Sequence, residues 1–284
     1  MDGTTISAFL RTWAAIAAGS LDRVMQAECT AASTLFPESK VMPPNARVWI
    51  GTPFVKPGRS SPRRFLFDSK ALSTLKDLAR SESVSKPTRI EALTGFIWKH
   101  AMGASRKATS VGSPSALVHS VNLRRRTKPS LPEHAVGNID WKAFAVHDSL
   151  EAEAELPRLV EPLRRLIAEI DGDLMKKIWG ETALVEVSKW LGEVKEIYER
   201  AKHDCYTFVN WCNMGFNDVD FGWGRPAWVS LGNFGDEAFR NLVILVDAPS
   251  GDGIEAWIVL EEREMVPLER DPKFLAFASP RSSA

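Results

Sequence analysis

The stretch Asp220-Phe221-Gly222-Trp223-Gly224, followed by Arg225-Pro226, is the most informative part of this sequence. Two glycines in five positions predict a backbone with positive φ or a close approach by another segment. An aspartate at the head of such a run can anchor a turn or pair with a buried cation. Tryptophan adds a large apolar side chain with one N–H group, so we expect Trp223 to be buried. The pattern predicts a tight structural turn around a buried tryptophan.

The same stretch imitates two functional motifs. Asp220-Phe221-Gly222 matches the metal-binding triplet of protein kinases, but the chain has no H-R-D, V-A-I-K or A-P-E segment. Gly222-x-Gly224-x-x-Ala227 matches part of a dinucleotide fingerprint, but Pro226 and a strand-like segment follow where a helix should begin. Neither interpretation has the surrounding structure that its chemistry needs.

The composition is that of an ordinary soluble globular protein. Of the 284 residues, 44% are hydrophobic and 25% are charged, and 36 basic residues balance 36 acidic ones. Zero net charge gives no electrostatic footprint for nucleic acid or an anionic membrane, and no apolar run has the length of a membrane span. Three scattered cysteines without a C-x-x-C pair indicate neither a disulfide framework nor zinc. We therefore expect no metal and a reducing, cytoplasmic location.

Hydrophobic periodicity predicts an α+β chain with a mixed sheet. A helix is expected over residues 4–18 with Thr4 or Thr5 as its cap, and Thr88-Arg89-Ile90-Glu91 is a capping box that begins another. Asp171-Gly172 separates two charged helices over 149–170 and 172–200. The predicted strands are Arg64–Phe67, Ala116–Val121, Trp141–Val146, Tyr206–Met214, Ala227–Leu231, Asn241–Asp247 and Ile254–Leu260.

The opening stretch resembles the D-F-G-W-G-[KR]-P signature of the BAHD plant acyltransferases. Further segments match the family's pattern in the right order: Thr5–Ala14 for the helix after H-x-x-x-D-G, Arg64–Asp68 for R-F-x-F, Thr88–Lys99 for [ST]-R-x-E-A-L-T-x-x-I-W-K, Val121–Asn138 for N-x-R-x-R…P…G-N, and Gly253–Trp257 for the strand after the last turn. Six matches in order extend the resemblance over almost the whole chain. The pattern is nearest to the vinorine-synthase-like branch.

The resemblance implies a two-domain, acyl-CoA-dependent acetyltransferase-like fold with mixed sheets, in which the first domain is incomplete. Residues 1–38 would be a remnant of the first domain, 39–62 a proline-rich crossover loop, and 63–284 the second domain with the D-F-G-W-G segment. The family's other signature is H-x-x-x-D-G. The chain opens Met1-Asp2-Gly3, so the matching histidine is not among the 284 residues. We therefore expect a truncated chain that is inactive alone.

In the family this histidine is the base, and the aspartate four residues later holds its loop through an ion pair with an arginine. Asp2 matches that aspartate, and Arg124 is the candidate partner. The alternative is that Asp2 only caps the first helix and that Arg124 is a solvated charge. The chain's own histidines lack an aspartate four residues later, and we expect each to be structural or exposed: His100, His119, His134, His147 and His203. A nucleophilic Cys205 or Cys212 is a further alternative.

The resemblance implies acyl-CoA, in particular acetyl-CoA, as co-substrate. Lys86, Thr88 and Arg89 stand at the start of a helix, where free N–H groups and the dipole favour an anion, and the family places coenzyme A contacts in this region. Alternatively, Thr88 is only a cap and Arg89 packs locally. The acceptor would be a hydroxyl or amine of a small plant secondary metabolite, and family members are usually monomeric.

Two departures from the family pattern affect the interpretation. Asn210–Asn217 stands where many relatives carry S-W-x-R-x-P-x-Y and keeps only Trp211, so the acceptor is left open. The charged stretch Asp148–Lys189 is long for the family. Two other classes also stay open, namely a catalytically inactive relic and a fragment that binds acyl-CoA or a partner without turnover.

Overall fold

Seven strands form one mixed sheet in the computed structural model, which describes residues 1–31, 33, 60–109, 112, 114–148, 154–179, 183–201, 204–230 and 239–281. The strands are β1 Ser60–Phe67, β2 Ser115–Asn122, β3 Asp140–His147, β4 Cys205–Asn210, β5 Leu242–Asp247, β6 Ile254–Glu261 and β7 Ser279–Arg281. Their order across the sheet is β3-β2-β4-β5-β6-β1-β7. β2 and β5 run parallel to β4, and the other neighbours are antiparallel, so the predicted α+β class with a mixed sheet is confirmed.

The helices are α1 Gly3–Ala17, α2 Ser69–Leu78, α3 Arg89–Thr109, α4 Leu156–Glu169, α5 Gly172–Trp179, α6 Ala183–Ala201, α7 Glu262–Glu269 and α8 Pro272–Leu275. α3 is buried on most of its circumference because it lies between one face of the sheet and the helices α2, α4 and α7. Phe274 of α8 packs edge-on against Phe65 and Phe67 of β1, with ring centroids 5.1 and 6.0 Å apart. Each such pair contributes about 0.5–1.5 kcal/mol beyond the apolar area it buries.

Local hydrogen bonds bear out several sequence-based boundaries. The Thr88 N–H donates to Glu91 Oε2 at 2.8 Å and the Glu91 N–H donates to Thr88 Oγ1 at 3.2 Å, which is the predicted capping box. Asp171 Oδ1 accepts from the N–H groups of Asp173 and Leu174, so α5 begins anew after α4. One cap was wrong, because Asp2, and not Thr4 or Thr5, caps α1.

Two predicted strands differ from the structure. The segment Tyr206–Met214 is a strand only to Asn210, because the Asn210 side chain accepts from the Cys212 N–H at 2.9 Å and turns the chain away. Residues 227–230 form no strand, and Trp228 stacks on Trp257 of β6 instead, with centroids 5.9 Å apart. Leu231, residues 149–153 of the predicted 149–170 helix and most of the 39–62 crossover loop lie outside the described residues.

Candidate functional site

The carboxylate of Asp2 lies at the start of α1 and accepts hydrogen bonds from three residues. Its Oδ1 caps the helix by accepting from the Thr5 N–H at 2.9 Å. The Arg124 guanidinium donates to both oxygens, at 2.7 Å from Nη1 and 3.1 Å from Nη2. The Ile139 N–H donates to Oδ2 at 2.9 Å. The two roles that the sequence left as alternatives, helix cap and ion-pair partner, are performed together by one carboxylate.

Arg124 is almost completely buried, with 2% of its surface exposed. It lies just after β2, where Asn122 Oδ1 accepts from the Arg124 N–H at 3.0 Å and turns the backbone. Beyond the pair with Asp2, Arg124 Nε and Nη2 donate to the carbonyl of Ala135 at 3.1 and 2.8 Å. A buried guanidinium is stable only where its donors are satisfied, and here they join α1, β2 and the segment that precedes β3.

The pKa of Asp2 lies below its ordinary value. Burial alone would raise this pKa, but the hydrogen bond from Arg124 and those from the Thr5 and Ile139 N–H groups outweigh burial and lower it. The group is therefore ionised at neutral pH, and its oxygens are already occupied by donors. Such a carboxylate positions a helix start and is unsuited to accept a proton from a substrate.

Two cavities flank the start of α1. The first has a volume of about 330 Å³ and is lined by residues that include Asp2 and Trp211. The second, of about 450 Å³, is lined by residues that include His134 and Cys212. The residues common to both linings are Thr4, Ser120, Asn122, Asn210 and Met214. The first residues of α1 thus stand between two solvent-connected spaces with polar walls.

The sequence analysis did not assign these shared polar residues to a functional site. Ser120 and Asn122 lie at the end of β2, and Asn210 lies at the end of the neighbouring parallel strand β4. Parallel neighbours bring their carboxyl ends to one edge of the sheet, so polar residues at those ends were the available signal.

The histidines differ in their surroundings. His100 Nδ1 lies 2.9 Å from Asp271 Oδ2, and burial lowers the pKa of His100 despite that carboxylate. Burial lowers the pKa of His119 to about 4. His100, His119 and the half-buried His147 do not line either of the two cavities at Asp2. His134, which is also half-buried, lines the second cavity. His203 lies outside the described residues.

Cys212 lacks the lowered pKa of an activated nucleophile. Burial raises the pKa of the Cys212 thiol, and the nearby Asp247 carboxylate raises it further. Cys205 is buried and Cys29 is exposed, and none of the three forms a disulfide. No group of three or more His, Cys, Asp or Glu side chains in the described ranges could hold a metal ion.

The residues expected to contact coenzyme A are exposed at the N-terminus of α3. Lys86, Thr88 and Arg89 all face solvent. Thr88 is engaged in the capping box, and the Glu91 carboxylate lies in the first turn, where it pairs with Arg164. The Glu91 carboxylate therefore already occupies the start of α3. Of the three residues expected to contact coenzyme A, Lys86 and Arg89 carry a positive charge. The charge of Arg89 lowers the pKa of the Cys212 thiol, but burial and the Asp247 carboxylate together raise that pKa by more.

The segment Asp220–Gly224 forms the predicted turn. Asp220 Oδ1 accepts from the N–H groups of Gly222 and Gly224 at 2.8 and 2.9 Å, and these bonds lower the pKa of Asp220. Gly222 and Gly224 have φ values of 104° and 111°, which glycine adopts without strain. The expected burial of Trp223 was wrong, because 82% of its surface is exposed. Its ring stacks on Phe221 at the surface instead of filling a core.

Four aromatic rings from two distant segments form a continuous surface row. Phe9 and Trp13 of α1 have ring centroids 5.9 Å apart, Trp13 meets Phe221 edge-on at 5.2 Å, and Phe221 stacks on Trp223 at 5.5 Å. More than half of the surface of Phe9, Trp13 and Trp223 is exposed. We call this set of four residues the aromatic row.

None of the helices in the described ranges has the length and apolar character needed to cross a membrane.

Comparisons with known proteins agree with this architecture. The chain is 38% identical over 281 residues to epi-neemfruitin B 7-O-acetyltransferase of Melia azedarach and 36% identical over 285 residues to limonoid 7-O-acetyltransferase of Citrus sinensis; each alignment covers 98% of this chain and 61% of the relative. The crystal structure of vinorine synthase superposes with a TM-score of 0.75 at 28% identity, over 98% of this chain and 60% of that structure.

A second solved structure, F. sporotrichioides TRI101 complexed with coenzyme A and T-2, has a TM-score of 0.70 at 23% identity and supports the fold. The chain spans about three fifths of the length of the relatives that it matches. The profile of the Transferase family matches residues 1–275. The chain therefore belongs to the Transferase family of BAHD-type acyltransferases.

Proposed function

We propose that this chain takes part in the transfer of an acyl group, in particular acetyl, from acyl-CoA to a hydroxyl or amine of a small plant secondary metabolite. The observation that carries the proposal is the buried ion pair of Asp2 and Arg124, which fixes the start of α1 between two cavities. Membership of the family and the acetyltransferase names of the relatives from Melia and Citrus support it. A cytoplasmic location and a second domain over residues 63–284 belong to the same proposal.

Acyl transfer needs a base for the proton of the acceptor. Asp2 is a positioning residue, because its carboxylate is ionised and its oxygens accept from Arg124 and two backbone N–H groups. In the family signature the base is the histidine four residues before this aspartate. That histidine would belong to the segment that leads into α1.

The reaction also needs donors for the negative charge that develops on the thioester oxygen. Trp211 lines the first cavity, and its indole N–H has no hydrogen-bond partner within the part of the chain that the structure describes. We assign this indole as the candidate donor. The acceptor would then lie in the first cavity, beside Trp211.

Coenzyme A would approach from the other side. Cys212 lines the second cavity, and Arg89 acts electrostatically on Cys212. We propose that Lys86 and Arg89, which are exposed at the start of α3, bind phosphate oxygens of coenzyme A while the pantetheine arm enters the second cavity.

The test is a chimera in which the unmatched part of the Citrus enzyme is joined to this chain, so that its H-x-x-x precedes Asp2. The chimera should transfer acetyl groups from acetyl-CoA to limonoid alcohols, and the 284-residue chain alone should show little or none, because a positioned base contributes about 10²–10⁴ in rate. Asp2→Asn and Arg124→Gln should lower kcat of the chimera by about 10²-fold with less change in KM. Arg165→Gln, an exposed arginine of α4, is the matched control.

A folded chimera without turnover would overturn the proposal. Turnover by the 284-residue chain at the rate of the full-length relative would instead show that the base lies within this chain. His134, which lines the second cavity, would then be the first histidine to replace.

Coenzyme A binding is tested separately on the 284-residue chain. We expect weak binding, with Kd of about 1 mM, that weakens with added salt because the contact is ionic and exposed. Arg89→Ala should reduce the affinity for coenzyme A, and Arg80→Ala, another exposed arginine, should not. Calorimetry compares the affinities for coenzyme A and 3′-dephospho-coenzyme A, and the difference gives the contribution of the 3′-phosphate to binding. Equal affinity of Arg89→Ala and the parent chain would show that Arg89 is only structural.

A second candidate function is binding of acyl-CoA without turnover. The observation that favours it is that Lys86 and Arg89 are exposed at the start of α3, whereas the oxygens of the Asp2 carboxylate are already occupied by hydrogen-bond donors. Coenzyme A binding by this chain, combined with an inactive chimera, would support this function over the first.

A further inference from the structure

A third cavity, of about 330 Å³, lies at the outer strand β3 of the sheet. It is open to solvent on one side and is lined by the outer strand β3 and the helices α4, α5 and α6. Lys142 of β3 is the one lining residue that it shares with the first cavity at Asp2, and the Lys142 ammonium is engaged by Asp140 and by Ser120 Oγ. The third cavity therefore adjoins the first cavity at a single lining residue and has its other walls to itself.

Aromatic rings form one wall of this third cavity. Trp190 of α6 lies 4.6 Å from Trp141 of β3, measured between ring centroids, and 5.8 Å from Phe144. All three residues are only partly buried, so their rings remain accessible from the cavity. Rings of this kind attract a cation within about 6 Å, and tryptophan does so most strongly.

Carboxylates form the polar part of the same lining. Glu169 of α4 and Glu186 and Glu193 of α6 line the cavity, and none of them has an ion-pair partner among residues that the structure describes. Two lysines, Lys142 and Lys189, also line the cavity. The charge of Lys142 is balanced by Asp140, so Lys189 is the lining cation that remains to oppose the three carboxylates. The lining therefore carries an excess of negative charge next to aromatic surface, and this combination disfavours an anion.

We propose that this cavity binds a hydrophobic organic cation, namely a quaternary or protonated tertiary ammonium compound that fits about 330 Å³. The rings bind the alkyl or aryl part and the face of the ammonium group, and Glu186 and Glu193 balance its charge. A neutral compound of the same shape loses both electrostatic contributions, and an anion meets unpaired carboxylates. The site does not depend on the acyl transfer proposed above.

The probe is benzyltrimethylammonium, titrated into the 284-residue chain with ¹⁵N-labelled tryptophan. The indole signals of Trp190 and Trp141, assigned with Trp190→Phe and Trp141→Phe, report on this cavity. Benzyl alcohol is the neutral control and phenylmethanesulfonate the anionic control. Glu186→Gln removes one charge from the lining, and Glu196→Gln removes one charge from α6 outside it.

We expect the two indole signals to shift with the ammonium compound and much less with either control. Glu186→Gln should weaken binding about fivefold, and Glu196→Gln should leave it unchanged. Three results would overturn the proposal. Benzyl alcohol would bind as tightly as the ammonium compound, or the two glutamine variants would have equal effects on binding. The third result is that neither tryptophan signal shifts at the highest soluble concentration of the ammonium compound. If Glu186→Gln lowers the thermal midpoint of the chain, the test is instead the salt dependence of ammonium binding to the parent chain. Binding that does not weaken with added salt would also overturn the proposal.

Discussion

The indole of Trp211 occupies the space that a side chain at position 3 would need. A Cβ built on Gly3 would lie 2.5 Å from Trp211 Nε1 and 2.7 Å from Trp211 Cδ1, closer than real Cβ atoms approach other atoms. The Gly3 backbone is the first turn of α1 and requires no left-handed conformation. Glycine is needed here for close packing, and the contact holds the start of α1 against the end of β4.

Replacing Gly3 with alanine should destabilise the chain. The added methyl group would push α1 away from Trp211, and overpacking of this kind costs about 1–3 kcal/mol of unfolding free energy. Gly192→Ala in α6, where no atom lies within 4 Å, is the matched control and should be neutral or stabilising. Urea unfolding followed by circular dichroism compares the two. Equal stability of both variants would mean that Trp211 moves aside at no cost, whereas rescue of Gly3→Ala by Trp211→Leu would identify the clash.

Asp2→Asn should cost roughly 3 kcal/mol of stability at neutral pH, because it leaves the buried Arg124 guanidinium without its counter-charge. The pKa of Asp2 is lower in the folded chain than the ordinary value of 3.8. Its contribution is therefore fully present above pH 3.8 and is lost as the pH falls through the folded pKa. Urea unfolding at successive pH values should show the gap between parent and variant closing below pH 3.8. Exposed Asp22→Asn is the control, and a gap that stays constant with pH would contradict the ion pair.

The D-F-G-W-G turn predicts opposite outcomes for two neighbouring substitutions. Gly222→Ala places a Cβ at a φ of 104° and should cost about 1–3 kcal/mol. Trp223→Ala removes a ring that is 82% exposed and should change stability by no more than about 0.5 kcal/mol. Thermal unfolding of both variants tests the assignment. A larger loss for Trp223→Ala than for Gly222→Ala would mean that the ring has a buried environment in solution.

The aromatic row predicts that the 284-residue chain self-associates, which departs from the monomeric state that the family resemblance implies. Exposed contiguous apolar surface of this kind drives association in water. Sedimentation velocity over a range of concentrations should show mass rising with concentration. Trp13→Ser combined with Trp223→Ser should suppress the effect, whereas Val185→Ser, an exposed residue of α6, should not. A single monomeric species at all concentrations would refute this prediction.

Features set by neighbours in sequence were predicted well. The capping box at Thr88, the break at Asp171 and the turn headed by Asp220 each depend on hydrogen bonds between residues at most four positions apart. The residue types at those positions determine such bonds wherever the segment lies. The end of β4 at Asn210 was missed although its cause is equally local, because strand propensity continued beyond the side-chain hydrogen bond that ends the strand.

By itself, the sequence determined the family, the mixed α+β class, most helix starts and the turn at Asp220, because these depend on local hydrogen bonds and on the order of motifs. Only the tertiary structure decided that Trp223 is exposed, that Asp2 serves both as cap and as partner of Arg124, and that the start of α1 stands between two cavities. Burial and cavity walls depend on which distant segments pack together. Asp2 and Arg124 are 122 positions apart, and the packing of α1 against the end of β2 brings them together.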